Sequence, residues 1–396
     1  MRLMRAAAVT GLVIAIAGCQ QKKEEQPAQA AAPAPAAAPA GDKVLIGHVA
    51  SLTGEQATFG DSTDKGIQLA IAEANAKGGV NGKQLGLKTY DDQGKPEEAA
   101  LAATRLIVQD KVPVILGEVA SSRSLAIAPI AESNKIPEIS SASTNPRVTK
   151  DGDKTRQFVF RVCFIDPFQG TVLAKFPKEN LKVANVAILR DVGNDYSVGL
   201  ADFFAKKFNE LGGKIVSDES YKAGDQDFKA QLTAIKNKKP QLIYVPGYYT
   251  DVALIARQAR ELGIKVPLAG GDGWDSSKLY EIAQGALDGS YFSNHYSTEN
   301  PAPVIQDFVK KYKAAYGSVP DALAALGYDA ANVAIDAMKR AKDMTGPSIR
   351  DAIEQTKGFE AVTGTITLDA DHNPVKSAVV LGIDKNAQKY VTTINP

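Results

Sequence analysis

The chain is poor in the side chains that metal and redox chemistry draws on. It has two cysteines in 396 residues. Cys19 and Cys163 lie far apart, which excludes a disulfide-built scaffold and a thiol cluster for a metal. The three histidines, His48, His295 and His372, are each isolated, so there is no paired-histidine zinc helix. Neither sign of charge dominates: 46 Lys and Arg stand against 45 Asp and Glu, a net charge of +1. That balance carries no electrostatic footprint for nucleic acid and does not argue for an anionic membrane surface. There is no Walker phosphate loop, no three-glycine dinucleotide fingerprint and no nucleophile elbow. The sequence therefore calls for no metal, no cofactor and no catalytic residue, and points away from an enzyme. What it does have are globular proportions, 44% hydrophobic and 23% charged residues, in a length that suits two domains.

Long hydrophobic runs are also missing. Residues 1–18 place Arg2 and Arg5 ahead of an apolar stretch from Ala6 to Ala17, shorter than the roughly 20 residues a membrane-crossing helix needs. A basic start, a short apolar middle and a small-residue end predict a signal peptide over residues 1–18. Its end, Ile16-Ala17-Gly18-Cys19, resembles the bacterial lipobox, which implies a lipid anchor through Cys19. Residues 19–41 are expected to be an Ala/Pro-rich tether, because Pro27, Pro33, Pro35 and Pro39 interrupt any helix and no apolar face is present to fold.

From Val44 the pattern becomes a regular alternation. Strand-like runs at 44–50, 85–90, 112–116 and 136–140 alternate with helical spacing through Ile67 to Ala74, from Pro96 to Ile107, and from Ser121 to Ala131. The alternation restarts after Arg161, with strands at 183–189, 214–217, 242–245 and 266–269 and helices at about 168–180, 198–211, 227–237 and 250–262. Longer helices follow at about 303–316, 323–342 and 347–356, and the chain ends with strand-like runs at 365–368, 378–383 and 390–394. Alternating strands and helices imply parallel sheets covered on both faces. The fold class expected is α/β, with two doubly wound parallel-sheet lobes. In such sheets ligands bind beyond the carboxyl ends of the strands, so two facing lobes would enclose a cleft.

Three strand-end segments carry candidate chemistry. Gly117 to Ser124 follows a buried strand and opens a helix, whose free N–H groups and Ser121 hydroxyl form a seat for a carboxylate; simple serine capping is the competing role. Ser140 to Asn145 again mixes small side chains and hydroxyls, with Ala142, Ser143 and Thr144. Gly270 to Trp274 holds Asp272 among glycines, where it can cap a helix or accept an ammonium group. Asp91 and Asp92, adjacent at a strand end, read as turn and capping residues, and Cys163 as a buried small hydrophobe.

Taken together these segments resemble the type I periplasmic solute-binding proteins of ABC transporters, in the branched-chain amino acid group. The resemblance covers residues 43–396. It rests on Asn75–Leu85 (NAKGGVNGKQL) followed by Tyr90, Asp91 and Asp92, on Thr53-Gly54 with Phe59-Gly60-Asp61 and Gly66, on Asp195-Tyr196 with Gly199, and on Gly247-Tyr248. It implies the periplasmic binding protein-like I fold, lobe 1 from 42–161 plus 294–376 and lobe 2 from 162–293 plus 377–396, with three crossings near residues 161, 293 and 376. It also implies a ligand site in which Ser121, Ala142, Ser143 and Thr144 face Tyr196, Tyr248 and Asp272, with Phe59 at the mouth of a side-chain pocket that Phe168 and Trp274 would help to line. Asp272 stands where the best-known members have Glu. The implied function is extracytoplasmic capture of a free amino acid, branched-chain or otherwise aliphatic, and delivery to membrane permease subunits by a monomer without nucleic acid. A ligand-sensing module on the same fold, or binding of an amide or other small polar solute, stays open.

Overall fold

A computed structural model of the chain describes residues 43–396. The signal peptide expected over 1–18, the lipidated Cys19 and the tether at 19–41 lie outside the described residues. Among the described residues no helix is long and apolar enough to cross a membrane.

In chain order the elements are β1 (Val44–Ala50), α1 (Ala57–Ala76), β2 (Leu85–Asp91), α2 (Pro96–Val108), β3 (Ile115–Leu116), α3 (Ser121–Asn134) and β4 (Glu138–Ser140). A small hairpin of β5 (Lys150–Asp151) and β6 (Lys154–Thr155) precedes β7 (Val159–Arg161). Next come α4 (Asp166–Glu179), β8 (Asn185–Asp191), α5 (Asp195–Glu210), β9 (Lys214–Tyr221) and α6 (Lys229–Asn237). They are followed by β10 (Leu242–Tyr244), α7 (Tyr249–Glu261), β11 (Leu268–Gly270), α8 (Ser277–Ala283) and β12 (Tyr291–Asn294). The chain finishes with α9 (Pro303–Tyr316), α10 (Ala322–Arg340), α11 (Gly346–Glu354), β13 (Ala378–Asp384) and β14 (Ala387–Ile394).

Two sheets organise these elements. The first is all parallel, in the order β2-β1-β3-β4-β7, and the second runs β14-β13-β12-β11-β10-β8-β9. In each, the order reverses beside the first strand of the unit, β1 or β8, which opens a crevice at the strand carboxyl ends. The central strands are buried on both faces, as parallel strands covered by helices must be: β1 buries Ile46, Val49 and Ala50, and β8 buries Val186 to Leu189. The chain passes between the sheets after β7, after β12 and before β13.

The second sheet departs from the parallel expectation at one edge, where β13 pairs antiparallel with both β12 and β14. Lys385 and Asn386 join β13 to β14 with φ of 51° and 61°, the left-handed pair that a two-residue hairpin needs. The strand expected at 365–368 is instead a loop with two single bridges, Phe359 to Ile366 and Leu368 to Pro374; Pro374 has no N–H with which to extend a ladder.

Helices α1 and α10 cover the first sheet and meet at unusually close range. A Cβ on Gly66 would stand 2.0 Å from the Ala324 carbonyl oxygen, and one on Gly327 would stand 2.5 Å from the Thr63 carbonyl oxygen. Each glycine therefore admits the other helix's backbone. Gly66→Ala is expected to lower the unfolding free energy by about 1–3 kcal/mol through overpacking, checked by urea denaturation; an unchanged midpoint would contradict the close crossing.

Candidate functional site

The strand-end loops of both sheets converge on one small cavity, lined by Phe59, Val119, Ser121, Ala142, Tyr196, Tyr248, Asp272, Gly273 and Leu323. Six of these, Phe59, Ser121, Ala142, Tyr196, Tyr248 and Asp272, are residues that the sequence singles out. Larger grooves exist at the lobe rim, around Arg147 and Asp195, and beside the crossings, around Lys376, but neither gathers these loops.

On the first-lobe side the cavity meets the start of α3. Its N-cap is Ala120 and no side chain caps it, so the first N–H groups of the helix are left for an anion. Serine capping is thus not what these hydroxyls do. Ser121 Oγ accepts the Asn145 N–H at 3.2 Å. Ser122 Oγ donates to Asp195 Oδ2 at 2.8 Å, across to the second lobe. The loop after β4 is clamped by the buried Arg161, whose Nη1 donates to the Ser143 carbonyl at 2.5 Å and Nη2 to the Asn145 carbonyl at 2.9 Å. Ser143 is turned away from the cavity, its hydroxyl bonded to Ser124 Oγ at 2.8 Å and the Glu118 carbonyl at 3.0 Å. Thr144 is buried just outside the lining, where its carbonyl accepts the Asp166 N–H at 2.9 Å.

On the second-lobe side Asn194 caps α5 by accepting from the Tyr196 and Ser197 N–H groups, which fixes Tyr196 at the first turn. The Tyr196 hydroxyl donates to Asp272 Oδ1 at 3.0 Å. Gly271 permits this approach, since a Cβ there would stand 2.3 Å from that hydroxyl. The Tyr196 and Tyr248 rings stack at 5.3 Å, and Phe59 meets Tyr248 edge-on at 5.6 Å and Tyr249 at 5.0 Å. Phe59 belongs to α1 of the first lobe, so these contacts bring the lobes together across the cleft. Thr58 Oγ1 with Ser276 Oγ at 2.8 Å and Thr250 Oγ1 with the Glu55 carbonyl at 2.8 Å bridge the same gap.

Two residues expected in the side-chain pocket lie elsewhere. Trp274 is fully buried in the second-lobe core, its indole N–H on the Val245 carbonyl at 3.0 Å and its ring on Gly270. Phe168 packs on Phe164 at 6.1 Å. The pair Asp91 and Asp92 shapes turns: Asp91 Oδ1 accepts from the Leu52, Thr53 and Gln93 N–H groups, and Asp92 Oδ1 from Ser51 Oγ and the Gly94 N–H. Cys163 is fully buried, and burial pushes its thiol up to about 12, which leaves no thiolate at neutral pH.

Two buried acids beside the cavity carry no sequence signal. Glu118 is fully buried, with Oε2 accepting from Arg123 Nε at 2.7 Å and the Ala120 N–H at 2.8 Å. Burial pushes its carboxyl up to about 7 against the pull of Arg123. Asp166, at the start of α4, is buried between the 144–145 loop and Gly199 of α5 with both oxygens unpaired. Burial, reinforced by Asp272, pushes it up to about 8, opposed by Thr144 and Arg161. Folded protein thus holds a proton there that the unfolded chain releases near 3.8, so stability from this group falls as pH rises from about 4 to 8 and is flat above. Asp166→Asn is expected to lose part of the drop in thermal midpoint between pH 5 and pH 8; parallel curves for the variant and the wild type would refute the shift.

With this geometry in place, the likeness to known proteins is specific. Residues 43–388 match the periplasmic binding protein family. Leu/Ile/Val-binding protein homolog 2 of Brucella abortus (strain 2308) is 33% identical over 338 residues, 85% of this chain and 89% of the relative. The crystal structure of the leucine binding protein LivK from Thermotoga maritima is similar with a TM-score of 0.85 and 44% identity, over 89% of this chain and 99% of that one. The branched-chain amino acid transporter substrate binding protein LivJ from Streptococcus pneumoniae, solved in complex with isoleucine, gives 0.84 and 35%, over 90% and 100%. Closely matched in sequence and in fold over nearly its whole described length, the chain belongs to the periplasmic binding protein family, in the group of the Leu/Ile/Val-binding proteins.

Proposed function

We propose that this chain is the extracytoplasmic substrate-binding component of an ABC transporter and takes a free aliphatic amino acid, branched-chain before others, into the cavity between its lobes. One observation carries the proposal: an uncapped helix start in one lobe and an acceptor carboxylate in the other face a single cavity whose walls also include Phe59, Val119, Tyr248 and Leu323. The carboxylate of the ligand would sit on the first N–H groups of α3 and the Ser121 hydroxyl. Its ammonium would be received by the Ala142 carbonyl and Asp272, with the partnerless Thr144 hydroxyl just behind the lining as a further acceptor. Charge-assisted bonds of this kind contribute about 1.5–3 kcal/mol each. The aliphatic side chain would lie against Phe59, Tyr248 and Leu323. The family likeness supports this: LivK is a leucine binding protein, and LivJ was solved with isoleucine.

The two lobes, 42–161 plus 294–376 and 162–293 plus 377–396, would open and close about the three crossings, with the ligand favouring the closed form because it touches both faces. Contacts already bridging the lobes, Ser122, Asn145 and Arg147 on Asp195 and Thr58 on Ser276, would let a small ligand complete the closure. Cys19 would carry the lipid anchor, residues 19–41 the tether, and the closed monomer would dock on permease subunits. Binding without turnover is the reading for the whole chain, in line with its likeness to solute-binding proteins.

A thermal-shift screen of the twenty amino acids and short amides tests this. Leucine, isoleucine and valine are expected to raise the melting temperature most. A response to acetamide or another amide with none to any amino acid would overturn it.

A further inference from the structure

Asp272 is held by donors from three separate elements. Oδ1 accepts from Gln169 Nε2 of α4 at 2.8 Å and from the Tyr196 hydroxyl of α5 at 3.0 Å. Oδ2 faces His295 Nε2 at 2.9 Å. A carboxylate rotates in a broad torsional well, so donors on both oxygens fix its plane. Oδ2 has only one protein partner and keeps room for a further donor.

The place of His295 is as telling as its bond. It is the first residue beyond β12, where the chain leaves the second sheet. Its side chain is 1% exposed and its ring stacks at 3.8 Å on Phe164, which lies in the segment that leaves β7. Lys376 lies beside the third passage, with Nζ bonded to the Val162 carbonyl at 2.9 Å and to Thr363 Oγ1. The imidazole is thus wedged among the crossings, with one nitrogen on the cavity acid. Its other nitrogen, Nδ1, is buried without a partner, so the ring proton belongs on Nε2, donating to Asp272.

We propose that His295 is a positioning residue for the cationic end of the ligand: its Nε2–H fixes Asp272 toward the cavity, and its seat among the crossings ties occupation of that carboxylate to hinge closure. This rests on the reading of the cavity as an amino-acid site. The charged groups facing the ring are Asp272, Asp275 and Lys376; burial outweighs the two acids and holds the imidazole below its ordinary range, so it is neutral at pH 7. An ammonium on Asp272 and a proton on His295 are like charges sharing one carboxylate. Bound ligand therefore lowers the proton affinity of the ring further, and acidification through the free protein's value weakens binding.

Two measurements test this. Proton-coupled nitrogen NMR of the ligand-free full chain is expected to place the His295 proton on Nε2 with Nδ1 bare; a proton on Nδ1 overturns the proposal whatever the cavity binds. Leucine calorimetry at pH 7.5 and 5.5 is then run on wild type, His295→Leu and His295→Gln. His295→Leu is expected to lose about tenfold at pH 7.5, and His295→Gln, which keeps an N–H near the Nε2 position, to recover most of it. Because only the wild type has an ionisable ring, the ratio of wild-type to Gln-variant affinity should be equal or lower at pH 5.5 than at pH 7.5. Wild-type affinity in His295→Leu, or a ratio that rises at pH 5.5, overturns the proposal; equal losses in both variants reduce the residue to packing and also overturn it. Failure of the wild type to bind any amino acid removes the ligand reading, while the NMR result still decides the contact.

Discussion

Asp272→Ala should weaken leucine binding at least about 100-fold, or roughly 2.7 kcal/mol. Two losses add. The ligand's ammonium gives up a charge-assisted acceptor in a site closed off from water, where such pairs are strongest. The donors of Gln169, Tyr196 and His295, which converge on this carboxylate, are left aimed at a void, and buried donors without partners carry a penalty of their own. Removing one partner of a buried, hydrogen-bonded charge pair commonly costs 2–5 kcal/mol in binding. Asp272→Asn keeps the shape and one acceptor oxygen and should fall between the two. Calorimetry at pH 7.5, with unfolding midpoints measured alongside, separates lost binding from lost folding. An affinity within twofold of wild type would remove Asp272 from the site.

Glu118→Leu should destabilise the fold by about 3–5 kcal/mol at pH 8, where the acid is ionised. Arg123 is buried with its Nε on Glu118 and its Nη1 on Gln56 at 2.7 Å. The nearest other acid is Asp92, at 3.6 Å. Without Glu118 the guanidinium keeps its charge in the interior with only that longer contact to offset it. The double variant Glu118→Leu/Arg123→Met removes both charges and should recover most of the loss, since apolar replacements of a buried pair are often neutral. Urea unfolding of wild type, both single variants and the double variant closes the cycle. If the double variant is as unstable as the single one, the cost lies in packing rather than in stranded charge.

How much was legible in the sequence depended on how local the signal is. Strands such as β1 and β8 are short, largely apolar runs, and α9 at 303–316 coincides with its apolar spacing. Helix α1 begins at Ala57, ten residues before the apolar pattern at Ile67, because its first turns bury Phe59, Gly60, Thr63 and Gly66; small and polar residues there conceal a helical face. Strands β7 and β12 are short and end in Arg161 and Asn294, so neither alternates long enough to be read. The loops bearing Ser121, Ala142 and Asp272 are legible because strand ends are where such sheets bind, whereas Tyr196 and Tyr248 enter only through the family resemblance. The shell behind them was not. Gln169, His295, Glu118 and Arg161 reach the site only through chain crossings and buried loops, and a lone histidine or glutamine has no spacing to betray it. Trp274 misled for the same reason: adjacency to Asp272 placed it in the pocket, whereas the turn sends its ring into the core.

A crystal structure of the protein grown with leucine is the measurement that decides most. The amino acid should lie between the lobes, its carboxylate against the first N–H groups of α3 and Ser121, its ammonium within hydrogen-bond distance of Asp272, and its side chain against Phe59 and Leu323. Leucine bound in another groove, or reversed so that its carboxylate faces Asp272, would contradict the proposed site.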